Sequence, residues 1–393
     1  MKAVEHLEAI GKPPADCVQT PLGTMIQLKN PHDDRLQKRL ADFLTDVPIP
    51  RAVNGTEALC LGTNIGSVRK QNEDRALIIR ASYSTAPERN FVLGVVSDGI
   101  GGLSRGEEAS TLAVSEFCSR VVRQSRLSPE ARLRFAAEMA NVAVFSLLKG
   151  KGGATLSAVL IAKGNVIGVN VGDSRIYGIS PRRQSVQLTK DDTLASYLGR
   201  RDGKDMGSDV KGLVQFVGMG NDFDPHIITT NERDSESILI TSDGVHDAPS
   251  EAIAQITQIS RSNLDLVQRL LSLSGILGGR DNATALVIPT EFNPGTASDE
   301  GVTIACTSSF DSLEIWIPKL GNTFAESDDA LEKQPEKEKN PAANVNSKGR
   351  KNATHYRQRK LALRKKKESN EAKLPLDEDP PSLSISFPDK RKS

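Results

Sequence analysis

The chain has 393 residues, and 51 Lys and Arg against 50 Asp and Glu leave a formal net charge of +1. That balance excludes a globally basic nucleic-acid binder and an acidic solvating protein, while 37% hydrophobic and 4% aromatic residues suffice for one good core but not along the whole length. The total hides a split: residues 345–393 hold 14 Lys/Arg and six Asp/Glu, a local +8, which leaves −7 for residues 1–344.

Residues 1–57 are broken by Pro13, Pro14, Pro21, Pro31, Pro48 and Pro50, with only short periodic pieces such as 36–43. They read as a partly ordered N-terminal extension. From 58 to 289, apolar runs of strand length alternate with Gly, Asn and Asp punctuation. Strands are expected at 76–80, 91–97, 155–162, 166–171, 175–179, 238–241 and 283–288. Several are apolar throughout, as in sheets covered on both faces. A helix over 107–122 places Ala109, Leu112, Ala113, Phe117 and Val121 on one face. A second, over 131–148, follows Ser128 as N-cap and Pro129 at the first helical position. A third lies across either 250–256 or 263–273. Helices set apart from antiparallel strands argue for an α+β fold and against the regular alternation of a doubly wound one. After Pro289, 302–306 and 313–317 alternate with period two around 308–312, so an extra β-hairpin is expected within 290–320. Residues 321–393, rich in Pro, Asn, Ser and charge, are expected to be disordered.

Cys17, Cys60, Cys118 and Cys306 lie far apart with no C-x-x-C pair. This points to a reducing compartment, with neither a disulfide framework nor a thiolate zinc site. The first 14 residues mix acids with bases and lack the apolar run of a signal peptide. No stretch approaches the roughly 20 apolar residues that span a bilayer. A cytoplasmic protein with no transmembrane segment is the expectation.

The chemically suggestive feature is a series of aspartates at the ends of apolar strands. They are Asp98 in Val95-Val-Ser-Asp-Gly-Ile-Gly-Gly102, Asp173 in Val169-Asn-Val-Gly-Asp-Ser-Arg175, Asp243 in Leu239-Ile-Thr-Ser-Asp-Gly-Val245, and Asp281 before Asn282. Glu73 and Asp74 join them. A strand end aims a short carboxylate at a fixed point, and the glycine that follows lets a carbonyl or water come close. Carboxylates converging on one cleft repel each other unless cations intervene, and oxygen ligands without His or Cys clusters suit Mg²⁺ or Mn²⁺. Taken singly, an Asp-Gly after a strand is more often a turn than a ligand.

Together these strings resemble the metal-dependent serine/threonine protein phosphatases of type 2C, in a bacterial style, over roughly residues 59–289. The resemblance rests on Gly66-Ser-Val-Arg-Lys-Gln-Asn-Glu-Asp74, Ser97-Asp-Gly-Ile-Gly-Gly102 with Gly106-Glu-Glu-Ala-Ser110, and Gly152-Gly-Ala-Thr155. It continues through Val171-Gly-Asp-Ser-Arg-Ile-Tyr177, Leu188-Thr-Lys-Asp191, Thr241-Ser-Asp-Gly-Val-His-Asp247 and Asp281-Asn-Ala-Thr284. It implies a central antiparallel β-sandwich flanked by helix layers, with Mn²⁺ or Mg²⁺ at one end. By that resemblance Asp98 bridges two ions, with the Gly99 carbonyl as a further ligand. Asp243 and Asp281 hold the first ion, Glu73 reaches the second directly or through water, and Asp173 helps hold a third. Asp74 orients the ligands from behind, and Arg69 clamps the substrate phosphate through its planar fork. Two divalent ions about 3.5–4 Å apart would acidify a bridging water to hydroxide, which attacks phosphorus in line with the leaving oxygen.

Some positions depart from the family pattern. Ile100 stands where animal members often carry His, so water is left to protonate the leaving group. Asp191-Asp192 replaces the usual Asp-His, and Ala154 replaces a paired threonine. His246 is expected to be a surface histidine, and 193–209 aligns with a mobile flap. The resemblance also implies a phosphoprotein substrate, a cognate serine/threonine kinase and a monomeric enzyme in signalling. The rival reading is a catalytically silent module of the same fold that binds a kinase or phosphoprotein. Residues 348–367 hold ten Lys/Arg and no acid, and are expected either to be merely solvated or to tether the chain to an acidic partner, anionic membrane or nucleic acid. The closing run 383–388 could serve as a short docking motif.

Overall fold

Alternation along the strands decides the architecture. In Asp74–Tyr83, Leu77, Ile79 and Ala81 enter one buried cluster while Ala76 and Ile78 enter another, so this strand is covered on both faces. The computed structural model of the chain describes residues 17–19, 25–27, 35–45, 50–100, 105–198, 212–231, 235–291 and 300–318. Two antiparallel sheets lie between helices, an α+β fold.

Among the described residues the first sheet has nine strands and the second six. In spatial order the nine are β11 (His226–Asn231), β8 (Asn165–Val171), β7 (Leu156–Ala162), β6 (Phe91–Asp98), β5 (Asp74–Tyr83), β14 (Gly301–Thr307), β15 (Ser312–Pro318), β1 (Cys17–Gln19) and β2 (Met25–Gln27). The six are β10 (Ser185–Gln187), β9 (Arg175–Ile179), β12 (Ser237–Thr241), β13 (Ala283–Pro289), β4 (Cys60–Asn64) and β3 (Arg51–Gly55). Between the sheets Ile78, Val92, Ile176, Ile240 and Leu286 form one core. Helices α1 (Arg35–Thr45), α2 (Gly106–Arg123) and α3 (Pro129–Leu148) cover the first sheet, where Phe117, Leu133, Leu93 and Leu160 meet. Helices α6 (Ser250–Ile259) and α7 (Asn263–Ile276), with the short α5 (Asp243–His246), cover the second through Val245, Ile253, Leu266, Leu270 and Val287, and the one-turn α4 (Leu194–Tyr197) follows β10 in the chain.

Local chemistry starts and stops these helices. Ser128 Oγ accepts from the Ala131 N–H at 3.3 Å and Pro129 fills the first helical position, as its sequence predicts. Glu107 and Glu108 in the first turn of α2 and Arg120 and Arg123 in its last complement the helix dipole. Every strand expected from 76 to 288 forms, most of them a residue or two longer. The segment expected to hold one helix holds two, because the chain turns extended at Ser260 after α6 and Ser262 then caps α7 by accepting from Asp265 N at 3.1 Å.

Both flanks of the predicted sandwich also enter the core. The hairpin after Pro289 forms, and β14 pairs with β5 in the register Ile304↔Ala81 and Cys306↔Ile79. In α1, Leu36, Leu40 and Leu44 are buried in the cluster under α2, and Gln37 Nε2 donates to Ser115 Oγ at 2.9 Å. Residues 348–367 and 383–388, singled out by charge and pattern, lie outside the described residues, as do 199–211 of the expected flap.

Candidate active site

Antiparallel register gathers the acidic strand ends. Asp74, first residue of β5, pairs with Asp98, last residue of β6. Thr241, last of β12, pairs with Arg175, first of β9, and with Ala285 of β13. Asp243, Asp173 and Asp281 therefore leave their strands at the same end of the sandwich as Asp98. A cleft of about 380 Å³ opens there, and Arg69, Asp98, Gly99, Asp173, Asp243 and Asp281 all line it. Glu73 and Asp74 stand beside it rather than in its wall.

Polar contacts position these residues, Asp98 and Glu73 through their backbones and Asp74 and Asp281 through their carboxylates. The Asp98 N–H donates to Thr155 Oγ1 at 2.9 Å, and that oxygen shares a 2.7 Å hydrogen bond with Ser174 Oγ. The Gly99 N–H donates to the Glu73 carbonyl at 3.2 Å. A Cβ on Gly99 would collide with the Gly106 backbone, so only glycine lets the start of α2 come this close. Asp74 is buried beneath the floor, where its Oδ2 accepts from Ser242 Oγ at 2.7 Å, and that hydroxyl accepts from Thr284 N at 2.9 Å. Asn282 ties the Glu73 loop down, accepting from Glu73 N at 2.8 Å and donating to the carbonyls of Ile65 and Gln71. The Arg69 guanidinium donates to Asp281 Oδ2 at 2.7 Å, with Glu73 Oε2 3.7 Å away.

The electrostatics are those of a site short of positive charge. Burial, with the charges of Asp74, Asp243 and Asp173, pushes the Asp98 carboxyl well above its ordinary range. Burial and the charges of Asp173, Asp281 and Asp74 do the same to Asp243. Burial raises Asp74 to about 6 against the pull of hydrogen bonds from Thr284 and Ser242, and raises Asp173 to about 6 with help from Asp191. Burial also raises Glu73, opposed chiefly by Arg69. Asp74 Oδ1 and Asp243 Oδ1 are buried with no hydrogen-bond partner. Among the described residues no three Asp, Glu, His or Cys side chains are posed together to grip an ion, and Arg69 spans Asp281 and Glu73 in that arrangement. The donor set nevertheless fits hard divalent cations: partnerless carboxylate oxygens, mutually repelling charges and no thiolate or imidazole in the wall.

Two features differ from expectation or escape it. His246 is not on the surface: it is buried at the end of α5, its Nδ1 bonded to Thr241 Oγ1 at 3.0 Å, and burial next to Arg175 pushes its pKa well down. Asp192 is the centre of a buried knot that its sequence does not announce. Its Oδ2 accepts from Gly172 N at 2.9 Å and Gln215 Nε2 at 3.0 Å, and its Oδ1 meets His226 Nε2 at 2.8 Å. The preceding Asp191 takes a bidentate grip from Arg175. The only signal available was Asp at a place where the family pattern has His.

Comparison with known proteins bears on this arrangement. The family model described as Protein phosphatase 2C matches residues 70–271. The serine/threonine protein phosphatase PstP of Mycobacterium tuberculosis is 31% identical over 226 residues, 54% of this chain and 43% of that protein. The chain thus spans less than half the length of that relative. The serine/threonine phosphatase stp of Listeria welshimeri is 25% identical over 242 residues, covering 58% of this chain and 93% of the relative. Among solved structures, the S. agalactiae serine/threonine phosphatase superposes with a TM-score of 0.51 at 25% identity, over 61% of this chain and 99% of that one. A bacterial serine phosphatase at 24% identity, with a TM-score of 0.53 over 59% and 97%, shares the fold.

Proposed function

The chain belongs to the protein phosphatase 2C family, and from that membership we propose that it hydrolyses phosphoserine and phosphothreonine in proteins, with Mn²⁺ or Mg²⁺ held by its strand-end carboxylates. The observation that carries this reading is the convergence of Asp98, Asp173, Asp243 and Asp281 with Arg69 on one cleft. Asp98, the Gly99 carbonyl, Asp243 and Asp281 would hold two cations, Glu73 would complete the second position and Asp173 would serve a third. When bound, such cations supply a water acidified toward neutrality and positive charge beside the phosphoryl oxygens.

The chain's own residues do the rest. Arg69, released from Asp281, presents a two-pronged donor to the phosphate. That charge opposes the negative charge spread over the equatorial oxygens in a loose phosphoryl transition state. Asp74, fixed by Ser242, keeps its other oxygen buried and unpaired, available to orient the groups that hold the cations. Thr155 and Ser174 fix the backbone of Asp98. Ile100 follows Gly99 and offers no proton, so the leaving alkoxide takes one from solvent. No side-chain nucleophile is needed; the buried thiols of Cys60, Cys118 and Cys306 belong to the core.

Hydrolysis of a phosphothreonine peptide tests the reading. Turnover is expected with Mn²⁺, is lost in EDTA, and falls at least about 100-fold in Asp98→Ala, the scale of losing one transition-state contact. No turnover with Mn²⁺ removes the reading and leaves a silent binding module, whereas full turnover in Asp98→Ala removes the strand-end carboxylates as its seat. On the same view the substrate is the product of a serine/threonine kinase, the enzyme works as a monomer in the cytoplasm, and residues 348–367 tether it to an acidic partner. The tether is checked by salt-sensitive retention on heparin that disappears when 345–393 are deleted.

A further inference from the structure

The cleft has an apolar wall that phosphate chemistry leaves unused. Beside the carboxylates it is lined by Ile100, Leu213 and Phe216, each half-buried. Desolvating a phosphate against carbon is unfavourable, whereas an apolar side chain laid there removes hydrocarbon from water on both partners.

The wall is built and held. The Phe216 ring lies so close over Gly153 that a Cβ there would strike it. Ala154 and Val217 exchange backbone hydrogen bonds at 3.0 and 2.8 Å, and the Ile100 N–H donates to the Gly153 carbonyl at 3.0 Å. Leu213 bridges to Thr193, and Val214 N donates to the Asp192 carbonyl at 2.8 Å. Gln215, between the two lining residues, is pinned by the buried Asp192 carboxylate, which also takes the Gly172 N–H. Gly172 is left-handed, at φ +98°, and immediately precedes Asp173. One knot therefore fixes both the apolar wall and the turn that delivers an acidic residue to the cleft. Preorganisation of this kind spares a ligand the cost of ordering its site.

We propose that Ile100, Leu213 and Phe216 form a subsite for an aliphatic or aromatic side chain adjoining the phosphoserine or phosphothreonine of the substrate. The inference rests on the phosphatase reading, which places the phosphate at Arg69 and the acidic strand ends. A peptide advances at most about 3.3–3.6 Å per residue, so the neighbour of the phosphorylated residue has its side chain within the same cleft.

Two phosphothreonine peptides test this, identical except that the residues flanking the phosphothreonine are Leu in one and Gly in the other. With the full chain and Mn²⁺, kcat/KM on the Leu peptide is expected to exceed that on the Gly peptide by about 10-fold, the lower range for an apolar group in a pocket. The ratio is expected to shrink to below about threefold in Phe216→Ser and Leu213→Ser. It compares two substrates on one preparation, so loss of folded enzyme cancels; if either variant precipitates, Ile100→Thr replaces it. Equal rates on the two peptides overturn the subsite and leave the phosphatase reading standing. A preference that survives undiminished in the variants also overturns it, because the wall is then not its source. No metal-stimulated turnover of either peptide overturns the phosphatase reading and the subsite with it.

Discussion

Asp173 sits in the turn between β8 and β9, where burial and the nearby Asp191 charge raise its carboxyl from an ordinary 3.8 to about 6. A raised carboxyl binds more protons folded than unfolded between those values, so its contribution favours folding below about pH 4 and is lost as pH rises through 6. In metal-free protein, Asp173→Asn is therefore expected to melt with the wild type near pH 4 and above it beyond pH 6. A shift of that size is worth about 3 kcal/mol, several degrees of melting temperature for a domain of this length. Thermal melts in EDTA across that range check it, and a constant difference at all pH values would contradict it. Added Mn²⁺ should stabilise the wild type more than the variant, since a cation offsets only a charge that is there. The residues of this cleft were legible because each rides in a contiguous string, such as Ser97-Asp98-Gly99 or Asp281-Asn282. Their supports were not. Ser242 reaches Asp74 across 168 positions, and Asp192 reaches Gln215 and His226 across 23 and 34. His246 looked like a lone surface histidine because nothing local says that α7 and β13 bury α5.

The junction between β6 and α2 shows how two elements become one site. Gly99 ends in contact with the Gly106 backbone, and the missing side chain of Gly106 makes room for the Glu73 carboxylate. The two glycines thus predict different failures. Gly99→Ala pushes backbone against backbone and is expected to lower the unfolding free energy by about 1–3 kcal/mol, read from urea denaturation. Gly106→Ala strikes the movable end of Glu73 first and comes no nearer than 3.2 Å to the Gly99 backbone, so the fold should hold while the Mn²⁺ concentration for half-maximal hydrolysis rises. Equal urea midpoints for Gly99→Ala and wild type would refute the first. The apolar strands β5 to β9 were readable from composition, as were α2 and α3 from their period. By contrast β3 and β4 were not, since Arg51-Ala-Val-Asn-Gly55 and Cys60-Leu-Gly-Thr-Asn64 carry glycine and polar residues and take their place from strand partners elsewhere. β4 gains its place by pairing with β13, more than 200 residues later, as in Leu61↔Leu286. Likewise β11 alternates too little to announce itself and is fixed by its register with β8.

At the scale of the molecule, the hydrophobic core does not respect the stretch that matches the family. That match runs from 70 to 271, yet Leu40 and Leu44 of α1 and Ile304, Cys306 and Ile315 of the β14–β15 hairpin share one buried cluster with Leu77, Leu93 and Phe117. Without the hairpin, ten-residue β5 would present its free backbone edge to solvent, a template for pairing with another chain. The flanking segments should therefore unfold together with the sandwich. Ile304→Ala and Leu40→Ala are each expected to cost about 2–5 kcal/mol, the range for truncating a buried aliphatic side chain. Val186→Ala, at a position 62% exposed, should stay within roughly 0.5 kcal/mol of wild type. Urea titrations followed by Trp316 fluorescence in β15 and by far-ultraviolet circular dichroism of the whole chain distinguish the alternatives. Coincident curves that shift together in both core variants mean that hairpin, helix and sandwich share one transition. A Trp316 transition that precedes the loss of helix signal, with the bulk midpoint unmoved in Ile304→Ala, would instead make the hairpin a separable appendage.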